Sequence, residues 1–237
     1  MIRRMALVRI SACLFVAILA ALPLQGAAVP YSVRLGTEKI VLDALPGFTD
    51  TTDLGSPRLQ DLASALTSSS NRVLLFALTD TDLRRFTYGE PLDAKKRYMI
   101  VSTPKGLERE RVGAELFTAF VADSLRDAGK PVQVSDAELV KFLESQPIGL
   151  ANLLDELRRE PTTVSVLQAT RLEPLPGARI LDRNTPQYLL FTTTFVLVRG
   201  KTLLLSVFTL FHGPADTDWL KLVTRRWVDD LLRLNAR

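Results

Sequence analysis

Apolar positions in this chain repeat every second residue in some stretches and at 3–4-residue spacing in others, and the change of period marks out the elements. The longest organised unit covers 188–234. Residues 188–198 and 202–211 are rich in Thr, Val, Leu and Phe, interrupted only by Arg199-Gly200-Lys201, which reads as a β-hairpin. Gly200 can take a positive φ, so a type II′ loop at Gly200-Lys201 is expected, with Arg199 opposite Thr202 and Val198 opposite Leu203. Leu189, Phe191, Phe195 and Leu197 then share one side, and Tyr188, Leu190, Val196 and Val198 the other. With both sides apolar, the hairpin belongs in the middle of a sheet covered on both faces. Trp219, Leu220, Val223, Trp227, Leu231 and Leu234 follow at helical spacing, with Asp216-Thr217-Asp218 as the expected cap. This helix should pack on one face through Trp227, leaving the other for a helix at 112–125.

Upstream, short β runs at 31–35 and 39–45 flank Gly36-Thr37, and Leu45-Pro46-Gly47-Phe48 makes a turn followed by a polar loop. Ser56-Pro57 starts a helix carrying Leu59, Leu62, Ala63 and Leu66. A strand at 73–78, a helical turn at 79–86 and a strand at 97–103 come next. Val112, Leu116, Phe117, Phe120, Val121 and Leu125 mark a helix that Gly129-Lys130-Pro131 stops. Ser135 and Glu138 form a capping box for a second helix. Leu150, Leu153, Leu154 and Leu157 then predict a third helix, ending near Glu160-Pro161, before β character returns at 162–170 and a loop opens at Glu173-Pro174-Leu175-Pro176-Gly177. The pattern implies an α+β fold: an antiparallel sheet with packed helices, and a C-terminal β-hairpin followed by an amphipathic helix. One domain over 29–237 is expected, with a helical insert at about 107–160.

The first segment changes the reading of charge. Arg3, Arg4 and Arg9 precede an apolar run from Ile10 to Leu24, and Gly26-Ala27-Ala28 supplies small residues, which together predict a signal peptide over 1–28. An uncleaved membrane anchor is the competing reading, although the run is short for a span of about 20 residues. The segment holds three of the 30 Lys and Arg and none of the 26 Asp and Glu, so the remainder carries 27 against 26, a net +1. No basic stripe interleaved with aromatics occurs, so a nucleic-acid partner is not expected. Cys13, the single cysteine, lies in that segment, so the rest of the chain has no thiol for disulfide, metal or redox chemistry.

The order strand, Pro-Gly turn, helix, strands, helices and a terminal hairpin leading into a Trp-bearing helix resembles the sandwich layout of Mog1/PsbP-like proteins. It also looks like secreted bacterial proteins of unassigned function. The resemblance rests on 39–48 and 194–227, under a third of the chain, and the insert at 107–160 departs from it. It implies an accessory or binding role.

Candidate chemistry is sparse. His212, the single histidine, sits between the last strand and the last helix, with Asp216 and Asp218 close in sequence. Those three residues could assemble a base or a carboxylate metal site, but a loop histidine beside helix-capping acids explains them as well. No nucleophile elbow, phosphate loop, dinucleotide fingerprint or calcium loop is present. Arg158-Arg159 and Arg225-Arg226 read as solvated faces. The expected function is therefore an exported, periplasmic or envelope, non-enzymatic binding or accessory protein without catalytic, cofactor-binding or metal residues. The alternative is an envelope enzyme with carboxylate- or Ser-based chemistry near His212, Asp216 and Asp218. A protein or small-molecule partner in the cell envelope is expected, with membrane contact only through the first segment if it is retained.

Overall fold

In the computed structural model, residues 30–90, 96–132, 134–173 and 186–236 are described. The expected signal segment and the loop at 174–177 lie outside them. Nine strands and five helices are seen among the described residues: β1 Tyr31–Leu35, β2 Glu38–Leu42, β3 Phe48–Asp50, α1 Pro57–Ala65, β4 Asn71–Thr79, α2 Asp80–Thr87, β5 Tyr98–Pro104, α3 Ala114–Ser124, α4 Asp136–Glu144, β6 Asn152–Glu160, β7 Thr163–Leu172, β8 Gln187–Val198, β9 Lys201–Leu210 and α5 Pro214–Leu234. Seven strands form one antiparallel sheet in the order β3-β4-β5-β9-β8-β7-β6, and β1-β2 is a separate hairpin. The α+β architecture with its terminal hairpin and helix is as the sequence pattern implies, and β9 is the middle strand.

Alternation along the strands divides the core. Leu190, Val196, Leu203, Leu205 and Val207 face one way, into a core closed by Leu220, Trp227, Val228 and Leu231 of α5 and Leu139 and Leu143 of α4, with Leu35, Ile40 and Leu42 from the small hairpin. On the opposite face Phe117 and Val121 of α3 cover Phe195, Val164 and Val166, as expected for that helix. Leu59 and Ala63 of α1 cover Phe76, Leu78 and Ile100 in a third cluster. Local signals held at several ends: Ser135 and Glu138 make their capping box, and the Thr79 hydroxyl accepts from the Asp82 amide at 3.0 Å.

Three expectations are corrected. The expected helix carrying Leu150 to Leu157 is strand β6. Its register shifts between Leu153 and Asp155 and again between Glu156 and Arg158, and each bulge slips an extra residue into the strand. Leu154 and Leu157, three apart, therefore both pack toward the α5 core, a helical spacing made by an irregular strand. The hairpin loop is Arg199-Gly200 rather than Gly200-Lys201. With φ of +51° and +72° both residues take the left-handed region of a type I′ turn, and Val198 pairs with Lys201. Pairing moves by two residues, so each side chain keeps its face. Finally, β3 forms where a polar loop was expected, because Thr49 and Asp50 complete the β4 edge.

Candidate functional site

The helix α5 starts just after the histidine, and its first turn gathers two of the three residues singled out from the sequence. Its N-cap is Gly213, with Pro214 in the first turn, so Asp216 is an early helical acid and not the cap. The Asp216 side chain is 3% exposed; Oδ1 accepts from Arg97 Nη2 at 3.1 Å, and Oδ2 accepts from the His212 backbone N–H at 3.0 Å. His212 Nδ1 lies 3.7 Å from the same Oδ2, and its ring is half exposed. Asp218 is exposed. The Arg97 guanidinium stands 3.8 Å from the centre of the Trp219 ring, which stacks on Phe48 at 6.5 Å. This constellation ties the start of α5 to the start of β5 and to β3. Both oxygens of the Asp216 carboxylate hold backbone and guanidinium groups in place, which is a fastening role. Among the described residues no group of three or more His, Asp or Glu is placed to hold a metal ion.

The arginine pairs also have structural employment. Arg158 bonds Glu160 and Asp229, joining β6 to α5, and Arg159 forms a two-pronged pair with Glu156. These carboxylate bonds hold the Arg158 and Arg159 guanidinium groups in their charged form and push the Glu156 carboxyl below its usual range. Arg225 and Arg226 are exposed.

A concave surface lies elsewhere. Between α3 and the β6-β7 turn runs a groove of about 490 Å³, walled by Phe117, Thr118, Val121 and Ala122 on one side and Pro161 and Val164 on the other. Its size falls in the range of small-ligand sites, about 300–1,000 Å³. Phe117 and Val121 are buried against the sheet, and the small Thr118 and Ala122 beside them leave the groove open; Leu116, outside it, is 48% exposed. Arg159 and Glu160 form its charged rim, each already paired, with Glu156 and Arg158. Sequence reasoning found the α3 stripe but missed Thr118, Ala122 and the β6-β7 turn. The available signal was the small residues Thr118, Ala119 and Ala122 beside the apolar stripe.

A smaller groove of about 180 Å³ lies beside α1, lined by Thr51, Thr52, Leu59 and Phe76 among others. On the same face a ladder of rings crosses four strands: Phe76 and Tyr98 at 6.3 Å, Tyr98 and Phe208 at 4.5 Å, and Phe208 and Phe191 at 5.6 Å. Burial in it pushes the Tyr98 hydroxyl well above its ordinary pKa. Among the described residues no helix is long and apolar enough to cross a membrane.

No family model matches the chain, and no curated protein matches it. Two solved structures resemble it weakly. One is the Saccharomyces cerevisiae Ran-binding protein Mog1p, with a TM-score of 0.36 and 13% identity over 89% of this chain and 94% of that one. The other is a mutant of protein Mog1, with a TM-score of 0.36 and 14% identity over 88% of this chain and 94% of that one. The likeness to Mog1 expected from the order of elements is thus present and weak, and nothing about function rests on it.

Proposed function

We propose that the chain is an exported envelope protein of the binding or accessory kind, and that its groove between α3 and the β6-β7 turn takes a neutral, largely apolar small ligand. The observation that carries this reading is the contrast between the two candidate sites. Around His212 the nearby carboxylate of Asp216 is already bonded through both oxygens, whereas the groove offers an open apolar wall. A neutral ligand is favoured because the rim charges Arg159 and Glu160 are each balanced by an internal partner, which leaves little net charge at the rim to attract an ion. The Thr118 hydroxyl at the wall donates to the Ala114 carbonyl at 2.9 Å, and its oxygen is left to accept one polar contact from a ligand.

Export is supported by the basic, apolar and small-residue order of residues 1–28. The direct test of the groove is titration with Nile red, a neutral apolar dye, of the protein and of the groove-filling variant Ala122→Trp. Saturable binding that the variant loses supports the reading; equal binding by both, with folding intact, overturns it.

A further inference from the structure

At the far end of the sheet from His212, three turns that are remote in sequence meet at the tip of the β8-β9 hairpin. Two glycines show how closely. A Cβ on Gly36, in the β1-β2 turn, would lie 3.1 Å from both the Arg109 carbonyl oxygen and Lys201 Nζ. A Cβ on Gly200 would lie 3.0 Å from Arg111 Cγ. The Val112 N–H donates to the Gly200 carbonyl at 2.8 Å, and the buried Lys201 ammonium donates to the carbonyls of Glu108 and Glu110 at 3.2 and 2.6 Å. Arg199 reaches the Lys39 carbonyl at 3.0 Å. The segments 34–39, 105–111 and 199–201 therefore form one surface.

That surface is strongly basic. With the buried Lys201 set aside, its three segments hold six Lys and Arg against three Glu, an excess of three, while the whole of 29–237 carries an excess of only one. Glu108 is further committed to Arg72. Arg34, Lys39, Arg109 and Arg111 are exposed, and among the described residues none has a carboxylate partner. Arg34 and Lys39 stand directly opposite each other across the small hairpin, a like-charge pair that costs stability unless an anion relieves it.

We propose that the hairpin tip is a membrane-docking surface that binds anionic phospholipid headgroups through Arg34, Lys39, Arg109 and Arg111. Several features favour a bilayer over a protein or nucleic acid. The charges sit at the hairpin ends of β1 and β2 and on the segment before α3, all exposed, on long side chains suited to a laterally mobile layer of phosphates. The three segments contain no aromatic residue to stack on bases. The first turn of α3 adjoins them, bringing the exposed Leu116 to the same end, where an apolar side chain beside cations fits the boundary between headgroups and acyl chains. The surface adds a contact that the sequence alone, which offered only the first segment to a membrane, did not supply.

The test is partition of the full chain onto vesicles of phosphatidylcholine with and without phosphatidylglycerol, comparing Arg34→Gln/Lys39→Gln, Arg109→Gln/Arg111→Gln and a control pair, Lys130→Gln/Lys141→Gln. Any contribution of residues 1–28 is common to all variants. Each tip charge removed should weaken partition onto the anionic vesicles about five-fold, so each tip pair loses about 25-fold, while the control stays within about two-fold. Binding should also fall steeply by about 0.5 M NaCl. Equal losses in tip and control pairs would assign the effect to net charge and overturn the proposal. Unchanged vesicle binding by the tip pairs would overturn it too, leaving the tip as a surface for an acidic protein.

Discussion

The two faces of the central sheet are built from the same strands and yet packed differently. Beneath α5 the core is one continuous cluster that runs from Leu75 and Met99 on one side of the hairpin to Leu167 and Ala169 on the other. The opposite face is split into two clusters, one under α3 and one under α1 and α2. Helix length, with the added cover of α4 and the β1-β2 hairpin, explains the difference. A helix of 21 residues runs about 31 Å and can cross most of the sheet, whereas helices of 11, nine and eight residues each cover a patch. Within the continuous face the Thr192 and Thr224 hydroxyls pair at 2.6 Å. The divided face leaves grooves beside its short helices, and there a ligand has room. Continuous packing and open concavity thus fall on different sides of the same strands.

Truncating the anchor of the continuous face should have the largest effect. Trp227 is 3% exposed and its Nε1–H donates to the Asp43 carbonyl at 2.8 Å, so Trp227→Ala should cost about 3–5 kcal/mol, read as a large fall in urea midpoint. A loss below about 1 kcal/mol would mean that this face is not the main core. On the divided face Phe117→Ala should cost about 3 kcal/mol, because α3 can settle toward its groove and recover part of the cavity. Both tryptophans lie on α5, so their emission should stay native in folded Phe117→Ala; a shifted spectrum would show that the two faces are one unit.

The ends of the sheet extend the comparison. Lys201→Met removes a buried cation that satisfies two carbonyls and should cost about 1–3 kcal/mol in denaturant melts. Hydrogen exchange should show residues 105–112 opening faster; unchanged protection there would rule out Lys201 as their fastener. His212→Ala at the other end should change stability by less than about 0.5 kcal/mol, since its hydrogen bond to Asp216 comes from the backbone N–H, which a substitution keeps, and its half-exposed ring makes only a 3.7 Å contact with that carboxylate. A larger loss, or loss of Nile red binding by the folded variant, would return His212 to the list of functional residues.

Local chemistry, written in adjacent residues, was enough to place most of the elements. The run of Thr, Val, Leu and Phe at 188–198, the Ser56-Pro57 start and the Ser135/Glu138 box each act within a few residues, and strands, helix starts and the central hairpin followed from them. The reading failed where a distant partner decided the outcome. Leu153, Leu154 and Leu157 have helical spacing, but pairing with β7 and two bulges made them a strand with apolar contacts on both sides. The exchange of a II′ loop for a type I′ turn has the same origin, since Arg199 at positive φ is held by carbonyls of Lys39 and Asn235 on other elements. Of the candidate site residues, the sequence could place His212 and Asp216 together because they are four apart. It could not show that Arg97, more than a hundred residues away, already holds Asp216. The same holds for the groove and for the basic tip. A wall made by α3 and the β6-β7 turn, or a cationic surface made by three remote turns, has no signature at any one place in the chain, because charge and concavity of that kind arise only when the folded backbone brings the parts within contact distance.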